Sequence, residues 1–100
     1  MKTGTVYGVL DPSNHRLCLY VGQTTTPVQR RMSRHLASAK QGRRRRFYDV
    51  LREFVDTATR LPVQVLLTGI PLTELDEVEQ FYIRYLAERG HPLLNKEVAP

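Results

Sequence analysis

The sequence predicts an α+β fold, a small three-stranded antiparallel sheet flanked by three helices in the order ββααβα. Three observations predict it. Two β-rich runs, Thr5 to Leu10 and Leu17 to Val21, are separated by the turn formers Asp11-Pro12-Ser13-Asn14, which reads as a hairpin. Three later segments space their apolar residues at helical intervals and begin or end at helix-boundary residues. Between the second and third of these lies Pro62 to Thr68, whose apolar residues alternate as in a strand.

Thr26-Pro27 opens the first helix, with Thr26 as N-cap and Pro27 at the first helical position. That helix carries Val28, Met32, Leu36 and Ala39 on one face, and Gln41-Gly42 ends it. Arg43 to Arg46 leads into a second amphipathic helix with Phe47, Val50, Leu51, Phe54 and Ala58 on its stripe. The third strand places Val63, Val65 and Leu67 on one face. Thr73-Glu74-Leu75-Asp76 has the pattern of a capping box and opens the third helix, which Gly90 closes ahead of Pro92. No repeat, low-complexity tract or linker interrupts the order, so residues 1–100 read as a single domain.

The chain is 41% hydrophobic and 25% charged, ordinary for a globular protein and unlike a disordered one. Cys18 is the only cysteine, which excludes a disulfide framework and a Cys-based zinc site. Apolar runs such as Val63 to Leu67 are too short to span a bilayer, and no signal peptide precedes the first strand. A cytoplasmic protein without membrane contact is expected. The net charge of +5 favours a polyanionic partner, most simply nucleic acid, and much of the positive charge lies between Arg30 and Arg46.

Two helices carry polar residues where packing asks for apolar ones. In the third, Leu75, Val78, Tyr82, Ile83, Tyr85 and Leu86 fall on one arc at about 100° per residue, and Glu79 falls inside that arc. The opposite side already has its own polar residues, Asp76, Glu77, Gln80, Arg84 and Glu88. A carboxylate on the buried side needs a cation, a metal or a donor network to offset its desolvation. A structural salt bridge to a core-edge Arg is the plain alternative. In the first helix, Arg31 and His35 sit one turn apart at the edge of the apolar stripe, and Arg30 and Arg34 fall on the solvated side. The plain alternatives are a snorkelling Arg31 and a core-edge His35 with its hydrogen bonds satisfied. Polar intrusions in two helices of so small a domain imply that they meet.

The strands add Thr5-Val6-Tyr7 and Tyr20-Val21-Gly22, the second followed by Gln23-Thr24. With these motifs the chain resembles the GIY-YIG nuclease family. The resemblance covers nearly the whole chain in the family's order: the first Tyr motif, a hairpin, the second Tyr motif, an Arg-x-x-x-His helix, a helix bearing Glu, and a closing Asn. Arg31-Met32-Ser33-Arg34-His35 matches the Arg and His, Glu79-Gln80-Phe81-Tyr82-Ile83 the segment with the metal-binding acid, and Leu93-Leu94-Asn95 the Asn. Each motif is weak alone; their order makes the match strong. The first Gly of the family motif is Thr5 here, a backbone position without side-chain chemistry, and Gln23 stands where some repair-type members carry Lys.

The resemblance implies hydrolysis of a DNA phosphodiester, in duplex or branched DNA, with one divalent metal. Mg²⁺, with Mn²⁺ as substitute, suits Glu79 as lone carboxylate ligand. Arg31 would stabilise charge on the phosphate, Tyr7 would be the general base, and Tyr20 and His35 would hold water and phosphate in line, the choice of base among Tyr7, Tyr20 and His35 staying open. Gly22 is read as the residue needed to leave the strand and Asn95 as an anchor of the chain end near Glu79. Gln23, Arg30 and Arg34 are candidate DNA contacts, as are Arg43, Arg44, Arg45 and Arg46, a run that reads equally as a solvated loop. Either Tyr can also be a core residue with a tethered hydroxyl. His15 and His91 read as surface residues, and Cys18 as packing on the strand face of Tyr20. The competing function is a catalytically inactive relative that only binds nucleic acid. An RRM-like RNA-binding domain is disfavoured by the lack of an aromatic stacking motif. Specificity is expected from small loops such as Gln23 to Pro27, or from a partner protein or further domain, or else the nuclease is weakly specific or structure-selective.

Overall fold

The turn at Asp11 to Asn14 folds the chain back because its own side chains supply the turn's hydrogen bonds. Asp11 Oδ1 accepts from Ser13 N at 2.8 Å and from Ser13 Oγ at 2.7 Å, and Asn14 Oδ1 accepts from Arg16 N at 3.1 Å. The hairpin joins β1 (Thr3–Asp11) to β2 (Asn14–Thr24). The computed structural model describes residues 2–40 and 62–95, apart from the side chains of 35, 36 and 38–40. Its remaining elements are α1 (Val28–Lys40), β3 (Val63–Pro71), a 3₁₀ turn (Leu72–Glu74) and α2 (Leu75–Glu88). The sheet is three-stranded and antiparallel, ordered β2-β1-β3. The helix expected after Arg43, with its stripe from Phe47 to Ala58, lies outside the described residues. The strands run past their apolar stretches because ladder pairing continues through polar residues, as in Thr5 opposite Thr24 and Val6 opposite Gln23.

The sheet is covered on both faces. On one, Tyr7, Val9 and Tyr20 pack with Met32 of α1, and Val28 and Val63 close the edge. On the other, Val6, Cys18, Val21 and Ile70 pack with Leu75 and Ile83 of α2. Irregularities in the ladder redistribute residues between the faces, and two of them bear on the sequence pattern. Val9 pairs with Tyr20 and the next residue, Leu10, with Cys18, so Leu19 is an extra residue on β2. The alternation therefore breaks, and Cys18 packs on the α2 side, not on the face of Tyr20. Similarly Leu66 is extra between the partners of Val6 and Tyr7. Val63 stays with the α1 face, whereas Leu67 lines a groove with Val78 and Phe81 of α2, so Val63, Val65 and Leu67 do not share a face.

The helix ends differ from the sequence pattern in detail. Helix α1 begins at Val28, and the Pro27 carbonyl accepts from Arg30 N at 3.0 Å and Arg31 N at 3.3 Å. Thr26 Oγ1 lies 2.9 Å from Thr24 Oγ1, holding the turn before the helix. No capping box forms at α2: Leu72–Glu74 is a 3₁₀ turn, and Glu74, the N-cap, makes no side-chain capping bond. Tyr85 is exposed instead of facing the core, stacked on Phe81 at 5.7 Å with the Arg89 guanidinium over its ring. Gly90, with φ of 88°, ends the helix as expected, since a left-handed residue there favours Gly.

The segment after α2 lies along the outer edge of β2. Leu94 N donates to Leu19 O at 2.6 Å, Cys18 N to His91 Nδ1 at 3.0 Å, and Val21 N to Asn95 Oδ1 at 2.9 Å. Asn95 Nδ2 returns a bond to Val21 O at 2.7 Å. His91 is thus a half-buried acceptor for the strand and not a plain surface residue. Asn95→Ala should lower stability by at least about 1–3 kcal/mol, the cost of leaving a buried backbone group unsatisfied. An unchanged urea midpoint would show that this side chain does not tie the segment down.

Candidate active site

Tyr7 is the centre of the site, and its position follows from the ladder. It lies in the middle strand, opposite Gly22, and its side chain is fully buried. A Cβ at Gly22 would fall on the Tyr7 hydroxyl, 2.5 Å from Tyr7 Cζ and 3.0 Å from Tyr20 Cε2. Gly22 is therefore not an exit from the strand, which continues to Thr24. It is the empty space into which the phenol fits. Gly22→Ala should destabilise the fold by about 1–3 kcal/mol through overpacking and displace the Tyr7 hydroxyl. The check is a urea melt; a wild-type midpoint would remove this role for Gly22.

Burial pushes the Tyr7 phenol above its ordinary value, and the neighbouring Tyr20 raises it further. A hydrogen bond from Arg31 and its positive charge act the other way, while the Glu79 carboxylate adds a small upward push. These influences show that β1, β2, α1 and α2 each deliver one polar side chain to a common place: Tyr7, Tyr20, Arg31 and Glu79. Tyr20 is buried, and Arg31 and Glu79 are half-buried. Arg31 Nε is buried and, among the described residues, has no hydrogen-bond partner, so one donor of its fork is unused there.

Beside this cluster, at the Thr24 end of the sheet, is a cavity of about 250 Å³ lined by Gln23 to Thr26, Arg31, Arg34 and Leu75. Gln23 Nε2 donates to Asp76 Oδ1 at 2.6 Å, which bolts the end of β2 to the first turn of α2, one turn before Glu79. Arg30 and Arg34 are exposed. Asn95 holds Val21, between Tyr20 and Gly22, and so fixes the second Tyr strand from its outer edge. His35 belongs to α1, with its side chain outside the described residues, as are Arg43 to Arg46.

Sequence reasoning misses Asp76 as the partner of Gln23, His91 as the acceptor for Cys18, and the threonine turn as a cavity wall. A run of three threonines after the strand is the available signal for the last. Partners such as Gln23 and Asp76 carry none, because only the tertiary fold brings them together.

Among the described residues no group of three or more His, Cys, Asp and Glu side chains is placed to hold a metal. Glu79 stands as a single carboxylate beside a cation and two phenols. That donor set suits a hard ion that keeps its waters and takes one or two carboxylates along with substrate phosphate. Likewise, among the described residues no helix is long and apolar enough to cross a membrane.

The GIY-YIG catalytic domain family matches residues 3–88 of the chain. No curated protein and no solved structure matches it. The matched span contains both Tyr motifs, the Arg31 helix and the Glu79 helix. With those side chains gathered at one site, the chain belongs to the GIY-YIG family, a family of nucleases that act on DNA.

Proposed function

We propose that this protein is an active DNA endonuclease that hydrolyses a phosphodiester with one divalent metal at Glu79. The observation that carries the reading is the meeting of Tyr7, hydrogen-bonded by Arg31, with the Glu79 carboxylate in the same field. A buried phenol, a guanidinium and a half-buried acid make an expensive cluster for a module that only binds nucleic acid.

Mg²⁺, with Mn²⁺ able to replace it, would be held by Glu79 and would polarise the scissile phosphate and stabilise the leaving 3′ oxygen. Arg31 donates to the non-bridging oxygens as charge builds on them. Tyr7 Oη takes or relays the proton of the attacking water. Its phenol is neutral in the resting protein, since burial holds its affinity for the proton above the ordinary value, so positive charge must offset that burial before it acts as a base. Arg31 supplies part of that charge. Tyr20 and His35 hold water and phosphate in line. Arg30 and Arg34, with Arg43 to Arg46, contact the DNA backbone, and specificity comes from the Gln23 to Pro27 loop or from a partner.

Incubation with supercoiled plasmid, in Mg²⁺ or in EDTA, tests the proposal. Nicked or linear product in Mg²⁺ alone is expected. Retardation of the plasmid without cleavage in either condition would favour the binding-only relative.

A further inference from the structure

Of the residues lining the cavity beside the Tyr7 cluster, only Arg31 takes part in the chemistry proposed at the scissile phosphate, and the remaining walls describe a further ligand. Apart from Leu75, every residue lining its roughly 250 Å³ is polar, and both charged ones, Arg31 and Arg34, are cationic. Arg31 Nε is buried and, among the described residues, has no hydrogen-bond partner, so this guanidinium carries a donor whose desolvation is uncompensated. Arg31 and Arg34 are three residues apart on α1, so their side chains leave the helix as neighbours, about 5–6 Å apart at Cβ. That is the scale on which successive phosphates follow one another along a strand.

The opposite wall is stiffened in advance. Thr24 Oγ1 accepts from Thr26 N at 3.0 Å and lies 2.9 Å from Thr26 Oγ1, so the turn is closed by its own hydroxyls. Thr25, between them, is exposed and can donate outward. The turn runs directly into α1, which carries no acid in its first turn, so the positive end of that helix is not neutralised from within. The nearby Asp76 carboxylate is occupied by the Gln23 amide.

We propose that this cavity is a second phosphate subsite, which holds the backbone phosphate next to the scissile one on the cleaved strand. Arg34 is its principal cation, the Thr25 hydroxyl a donor, and Arg31 the bridge between the two phosphates. The inference rests on the nuclease reading above, because it takes Arg31 as the ligand of the scissile phosphate. The Gln23 to Pro27 loop thereby acquires a definite role, setting the register of the strand against Glu79.

The test uses the full chain with Glu79→Gln, which binds without cutting, and a short DNA duplex followed by fluorescence anisotropy across a salt series. Arg34→Gln should lower the log–log salt slope by about 0.9, the loss of one phosphate contact on duplex DNA. Arg16→Gln, an exposed change at the hairpin end of β2 and away from the cavity, should leave it unchanged. Inorganic phosphate titrated into the same protein should shift the Thr25 and Thr26 amide resonances and the Arg31 side-chain NH, and Arg34→Gln should abolish those shifts. Equal slopes for the Arg16 and Arg34 variants, or phosphate shifts confined to other residues, would overturn the subsite. Plasmid cleavage by the wild type alongside such a result removes the subsite and leaves the nuclease. An uncut plasmid with the shifts and slope as expected removes the nuclease and leaves a phosphate site.

Discussion

Glu79→Ala should abolish plasmid cleavage while leaving the protein as stable as before, or more so. Glu79 sits half-buried on the inner side of α2, where a carboxylate is costly. Removing it relieves that desolvation and also lifts the small upward push it exerts on the Tyr7 phenol. A purely structural acid behaves in the opposite way. Taking one partner from a buried ion pair leaves the Arg31 charge stranded and costs about 3–5 kcal/mol. The two roles therefore separate in one pair of measurements, a melting curve and a cleavage assay. A clear loss of stability with cleavage retained would sink the metal-ligand role.

Tyr7→Phe should lose far more rate than affinity. The phenyl ring keeps the packing with Val9, Tyr20 and Met32 and the fit over Gly22, so fold and DNA binding survive. What disappears is the hydroxyl bonded by Arg31. A general base or proton relay contributes about 10²–10⁴-fold in rate, against about 1 kcal/mol for one hydrogen bond. Tyr20→Phe is the comparison. If it is the more damaging variant, and Tyr7→Phe keeps near-normal turnover at saturating Mg²⁺, the water is activated from β2 and Tyr7 is a structural phenol.

What can be read from the sequence is local. The Asp11 to Asn14 turn, the inward packing of Val28 and Met32 and the Gly90 stop are written in residues close together in the chain, and each appears as expected. The polar intrusions of Arg31 and Glu79 are legible because helical periodicity makes a misplaced charge conspicuous. The extra residues Leu19 and Leu66 are not, since they exist only in the register between strands, and each moves a side chain to the other face of the sheet. That is why simple alternation gives Cys18 and Leu67 the wrong neighbours. The reason for Gly22 is hidden in the same way: an open position for the Tyr7 ring is a property of two paired strands. At Thr73 the local pattern loses, because the chain leaving β3 takes a 3₁₀ turn before α2 begins.

The central claim is that one carboxylate, Glu79, holds the divalent ion beside Tyr7 and Arg31. A titration with Mn²⁺, followed by paramagnetic broadening of the backbone amide resonances, tests it most directly, since carboxylate and water ligands suit Mn²⁺ as they do Mg²⁺. Broadening centred on Glu79 and reaching Tyr7 and Arg31, reversed by excess Mg²⁺ and lost in Glu79→Gln, is the predicted result. Broadening confined to the exposed acids Glu74, Asp76 and Glu77 at the start of α2, with Tyr7 and Arg31 left sharp, would contradict it.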